Sequence, residues 1–203
     1  MTLISELELA KQAIASGDFQ VAQQRLKKLT RRYPHDPEVR LHLALNLMRQ
    51  GELEKALRQL KILARDYAQI PAVSINQGEV LMCLGRYDEA IAVLQRFVQQ
   101  RPQFMRARHN LARALNKAGQ VQAAIDEYRQ ALAREPNDGD SWYRLGCLLL
   151  DDGKADEAVD CFSQALERLP ELCHPKVAAR LRRAWQMQGR MIREPWPIGW
   201  TAL

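Results

Sequence analysis

Five glycines, Gly17, Gly51, Gly85, Gly119 and Gly153, stand 34 residues apart in a chain of 203. Alanines keep the same step at Ala22, Ala56, Ala90, Ala124 and Ala158, and small residues keep it at Ala10, Ala44, Gly78, Ala112 and Gly146. Prolines recur at Pro34, Pro102, Pro136 and Pro170, with Ala68 in the remaining place. A fixed period carried by several residue types at once is the signature of stacked units that cannot bury an apolar face alone. The glycine lies between two apolar helical patterns, where one helix ends and the chain reverses through left-handed backbone. The small residue before it and the alanine after it let two helices approach, since a larger side chain would overpack the crossing. The proline closes the second helix because it cannot continue the hydrogen-bond ladder.

Between these marks the apolar residues fall at helical spacing. Leu111, Ala114, Leu115 and Ala118 form one stripe, and Ala124, Ile125, Tyr128, Ala131 and Leu132 form the next. The pattern predicts five helix–turn–helix hairpins over 3–36, 37–70, 71–104, 105–138 and 139–172, with no strand. Pro37 follows Asp36 and Pro71 opens the next unit, both suited to helix starts. A last helix over about 175–189, opening at Pro175, is expected to cap the final repeat, giving one array over 1–190. Residues 191–203 hold Pro195, Pro197 and Gly199 and are expected to run extended.

The chain resembles the tetratricopeptide repeat family over about 170 residues. Its fifth unit carries the family pattern most fully, with Trp142, Leu145, Gly146, Ala158, Phe162, Ala165 and Pro170 at the family's spacings. The first unit departs most, with Glu6 and Leu26 where aromatics are common. The resemblance implies an all-α, right-handed α-solenoid of five repeats. It also implies an inner groove, lined mainly by the first helix of each hairpin, that binds an extended peptide or a helix of a partner.

Chemistry of other kinds finds little support. No nucleophile elbow, zinc-protease helix or phosphate-binding glycine loop occurs, and the glycines are spent on helix reversal. His35, His42, His109 and His174 have no nucleophile at a meaningful spacing, so no catalytic residue, cofactor or metal site is expected and the chain reads as a non-enzyme. Cys83, Cys147, Cys161 and Cys173 form no CxxC pair and read as reduced packing thiols. The N-terminus has no cationic start with an apolar stretch behind it, and no run is long and apolar enough to span a membrane. A cytoplasmic protein is the expectation.

The informative positions are those the scaffold leaves free. The sixth position of each unit gives Glu8 and then a polar ladder of His42, Asn76, Asn110 and Arg144. A carboxamide offers both donors and an acceptor, so an asparagine can bond both groups of a passing peptide unit. Some members of the family use an asparagine ladder at this position to grip a partner's backbone. Unit four adds Arg106, Arg108, Arg113 and Lys117, which points to an acidic feature on the ligand. His109, Asn116 and Tyr143 complete the candidate partner-binding set. The family's two-carboxylate clamp is only half present, because Leu41 and Leu45 stand where its lysine and asparagine belong.

Residues 173–203 carry six basic side chains against Glu194 alone, while the repeats are nearly neutral. With no interleaved aromatic in it beyond Trp185, the basic helix of this segment reads as a solvated face rather than a nucleic-acid site. Trp196 and Trp200 are expected to dock near Trp185 and Met187, or on a second copy as a route to self-association. The leading function is a protein–protein interaction scaffold or adaptor. The alternatives are a self-assembling structural unit and a regulatory domain of a larger enzyme such as a transferase.

Overall fold

The computed structural model describes residues 2–170 and 174–188. Among them lie eleven helices and no strand. They fall into two compact units, Met1–Ala118 and Gly119–Leu203. The first unit contains α1 (Leu3–Ala15), α2 (Phe19–Arg32), α3 (Pro37–Arg49), α4 (Leu53–Asp66), α5 (Pro71–Cys83), α6 (Tyr87–Gln100) and α7 (Met105–Lys117). The second contains α8 (Val121–Leu132), α9 (Gly139–Asp151), α10 (Ala155–Arg168) and α11 (His174–Met187).

Within the first unit each helix packs on the next in the chain, and α1, α3, α5 and α7 also meet one after another. Leu26, Leu29, Leu60, Leu63, Leu81 and Leu94 are buried between these layers. Each is worth roughly 1.5–3 kcal/mol relative to an exposed leucine. In the second unit α9 packs against α8 and α10, and α11 covers α10 and the edge of α9. Its core includes Ile125, Tyr128, Leu149, Leu150 and Phe162.

The periodic residues do what their chemistry requires. Gly85 has φ 73°. Its N–H bonds Met82 O at 3.1 Å while Arg86 N–H bonds Leu81 O at 2.9 Å, so the last carbonyls of α5 are satisfied as the chain reverses. The small register sits at close crossings: a Cβ on Gly78 would lie 2.6 Å from Leu94 Cγ, and one on Gly146 would lie 2.8 Å from Phe162 Cε1. Asp36 caps α3 by accepting from Val39 N–H at 2.9 Å. Asp138 caps α9 by accepting from the N–H groups of Asp140 and Ser141.

α11 buries Val177, Ala178, Leu181 and Ala184 and exposes Lys176, Arg182 and Arg183. One apolar stripe under a charged back suits the last helix of a stack. The segment holding Trp196 and Trp200 lies outside the described residues.

Candidate functional site

The candidate residues lie on the first helix of each hairpin, α1, α3, α5 and α7 in the first unit and α9 in the second. In the first unit their row begins with a charged bridge. Lys11 Nζ of α1 donates to Glu8 at 2.9 Å and reaches across to Glu38 Oε1 of α3 at 2.7 Å. The Glu38 and Glu8 hydrogen bonds raise the Lys11 pKa, and the Lys11 bond holds the Glu38 carboxyl below its usual range. His42 follows one turn on, its Nε2 3.8 Å from Glu38 Oε1 and its side chain 23% exposed. Burial, with Lys11 nearby, lowers its pKa below the ordinary value. At neutral pH the ring is therefore uncharged and offers one donor and one acceptor.

Asn76 and Asn110 continue the row and are buried, at 8% and 4% exposure. Their environments differ. Asn76 Nδ2 donates to Ala72 O of its own helix at 2.7 Å, so one donor is committed internally. Asn110 Oδ1 accepts from Arg113 Nη1 at 3.2 Å, while its Nδ2, shut off from solvent, has no partner among the described residues. An unpaired buried donor costs roughly 1–3 kcal/mol. Sequence reasoning placed these asparagines on a polar face; it did not foresee their burial.

The charged members of α7 spread out. Arg106 has a side chain 73% exposed, with Nη2 4.0 Å from Glu79 Oε2 of α5. Asn116 and Lys117 are exposed at the helix end, and His109 and Arg113 are half-buried. Arg108 departs from expectation: it is 6% exposed and does not belong to an open cationic surface. Its register could have signalled this. Trp142 stands at the same position of the fifth unit, and Arg40 at that position of the second is committed to Gln59 Oε1 and Pro34 O.

The second unit carries Tyr143 and Arg144. Arg144 Nε donates to Asp140 Oδ2 at 2.7 Å. Tyr143 packs its ring 6.1 Å from that of Phe162, and burial, with Cys147 beside it, raises its hydroxyl pKa. Arg180 of α11 lies near enough to act on both Tyr143 and Cys147, so the terminal helix lies against this part of α9. Cys147 and Cys161 are themselves held as neutral thiols by burial, Cys161 pushed up to about 12. Such thiols are inert packing groups. Among the described residues no group of three or more His, Cys, Asp or Glu comes together in a way that could hold a metal ion. Likewise, no helix among them is long and apolar enough to cross a membrane.

Two profiles described as tetratricopeptide repeat match the chain, one over 13–74 and the other over 75–139 and 109–172. The chain belongs to the tetratricopeptide repeat family. No curated protein matches it. Among solved structures it is similar to MamA residues 41-end of Desulfovibrio magneticus RS-1, with TM-score 0.74 and 21% identity over 81% of this chain and 93% of that one. It is also similar to TTC0263, a thermophilic tetratricopeptide protein of Thermus thermophilus, with TM-score 0.70 and 22% identity over 91% of this chain and 100% of that one. At these identities the likeness is one of fold. The eleven helices, the absence of strand among the described residues and these neighbours make the chain an all-α tetratricopeptide array.

Proposed function

We propose that this array is a protein-interaction scaffold that grips an extended segment of a partner along the first-helix face of its first unit. The observation that carries the reading is the buried, unpartnered Nδ2 of Asn110, in register with Asn76 and a neutral His42. A carbonyl of a passing peptide would accept from Asn110 once its amide turned to bring Nδ2 to the surface, relieving its unmet donor, and His42 would offer a donor and an acceptor to the same strand. Backbone recognition of this kind fits a partner bound in extended form. Arg106, largely in solvent with only a long contact to Glu79, would take an acidic side chain of that segment, and Lys117 stands exposed farther along the helix.

The reading is one of binding, without a reaction of its own. The free cysteines in the described residues accord with work in a reducing compartment, the cytoplasm. The test is capture from native lysate with the full chain and with Asn110→Ala, followed by titration of the captured partner's binding segment as a synthetic peptide. Retention by the wild type and loss by Asn110→Ala supports the proposal. Equal retention by both, and by Arg106→Glu, moves the binding face elsewhere.

A further inference from the structure

The second unit has a cavity of about 380 Å³ between α8 and α10 with α9 as its floor. Trp142, Leu145 and Leu149 supply apolar walls, Ala133 stands at one lip, and Glu157 and Asp160 stand at the other. Glu157 is already paired with Arg129 at 2.6 Å. Asp160 has no hydrogen bond or ion pair among the described residues. A volume of this order is where small-molecule pockets begin, and it admits one large side chain.

The chain leaves the described region against α10, whose Glu157, Asp160 and Cys161 line this cavity. Gln188, after the end of α11, donates from Nε2 to Asp156 Oδ1 at 2.6 Å, one turn of α10 before Asp160. Its Oε1 is shut off from solvent and has no partner among the described residues. The residues that follow include Arg190, Arg193, Trp196 and Trp200. Trp196 is eight residues beyond Gln188, a reach of up to roughly 26 Å when extended. That exceeds the roughly 10–12 Å width of the helix it must cross.

We propose that this cavity is the docking site for the chain's own C-terminal Trp–Pro segment, with Trp196 inserted between α8 and α10. The indole would bury an apolar ring of about 150–250 Å² against Trp142 and Leu149 and donate its N–H to Asp160. Charge selects the same side of the unit. The exposed cations of α11, Lys176, Arg182 and Arg183, repel Arg190 and Arg193, whereas Asp156, Glu157 and Asp160 attract them. A backbone N–H of the segment would satisfy Gln188 Oε1. Docking near Trp185 and Met187, by contrast, meets the cationic helix.

The experiment uses the full chain labelled with 5-fluorotryptophan, with the Trp196 fluorine resonance assigned by its loss in Trp196→Phe. The resonance is expected to be insensitive to exchange of H2O for D2O, at every protein concentration. Ala133→Glu, a change at an exposed residue that fills the cavity mouth with charge, is expected to give Trp196 the full solvent shift of an open indole. Asp160→Lys should do the same, and adding Arg193→Glu should restore protection. A Trp196 that is solvent-open in the unaltered chain overturns the proposal. So does protection that survives Ala133→Glu, and so does protection that appears only as concentration rises, which would assign the contact to a second copy.

Discussion

Gly78 and Gly85 exclude a side chain for opposite reasons. At Gly78 the backbone is ordinary helix but the space is taken, since a Cβ there would lie 2.6–2.7 Å from Leu94 side-chain atoms. At Gly85 nothing lies within 4 Å, but φ is 73°. Gly78→Ala is expected to cost about 1–3 kcal/mol through overpacking, and Gly85→Ala about 1–2 kcal/mol through left-handed strain. Urea unfolding separates the two. Combined with Leu94→Ala, the Gly78 change should cost less than the sum of the single changes, while the Gly85 change should simply add. At Asn110 two effects oppose. Asn110→Leu removes a buried donor that nothing satisfies along with the acceptor that Arg113 uses, so the two losses should offset and stability should hold within about 1 kcal/mol while partner binding falls. A loss clearly beyond that would mean that Nδ2 too is satisfied in the folded chain. The sequence made the glycines legible because their periodicity exposes a backbone requirement. It did not reveal the burial of Asn76, Asn110 and Arg108, because a polar letter in an amphipathic pattern reads as solvent-facing until the neighbouring hairpin is in place.

At the scale of elements, a helix start was legible where the cap precedes a proline, as at Asp36 before Pro37; the cap at Asp138 emerges only in the structure. Asp138→Ala, which frees the N–H groups of Asp140 and Ser141, should lower stability by about 1 kcal/mol. α11 is a different case, since its stripe of Val177, Leu181 and Ala184 has no second helix to complete a hairpin among the described residues. Leu181→Ala is expected to cost about 2–5 kcal/mol, read as a lowered melting temperature. The bridge between α1 and α3 gives the fold a pH response. Burial depresses the His42 pKa, so the unfolded chain binds more protons over the window just below the ordinary histidine value of about 6.5. The associated stability is present above that value and is lost as pH falls through the lower folded value. The melting temperature should therefore decline from neutral pH toward about pH 5, and His42→Gln should flatten the decline. An equally steep decline in His42→Gln would assign it to other groups. Lys11 holds Glu38 low, so its smaller, exposed contribution is lost only further down, as pH falls through the carboxylate range.

At the scale of the whole molecule, one 34-residue unit is written five times, and almost every repeated letter serves packing or chain reversal. The fold class was legible for that reason. The partner was not, because recognition lives in the letters that change from unit to unit: Glu8, His42, Asn76, Asn110 and Arg144 at one position. The central claim is that the polar row of the first unit holds a peptide backbone. Its most direct measurement is a calorimetric titration of the captured partner's peptide into the full chain, Asn110→Ala and the second-unit control Ala133→Glu. The account predicts that Asn110→Ala weakens binding by about 1–3 kcal/mol, roughly 5- to 150-fold in Kd, while Ala133→Glu leaves it unchanged. Affinity that is the same for Asn110→Ala and the unaltered chain would contradict it.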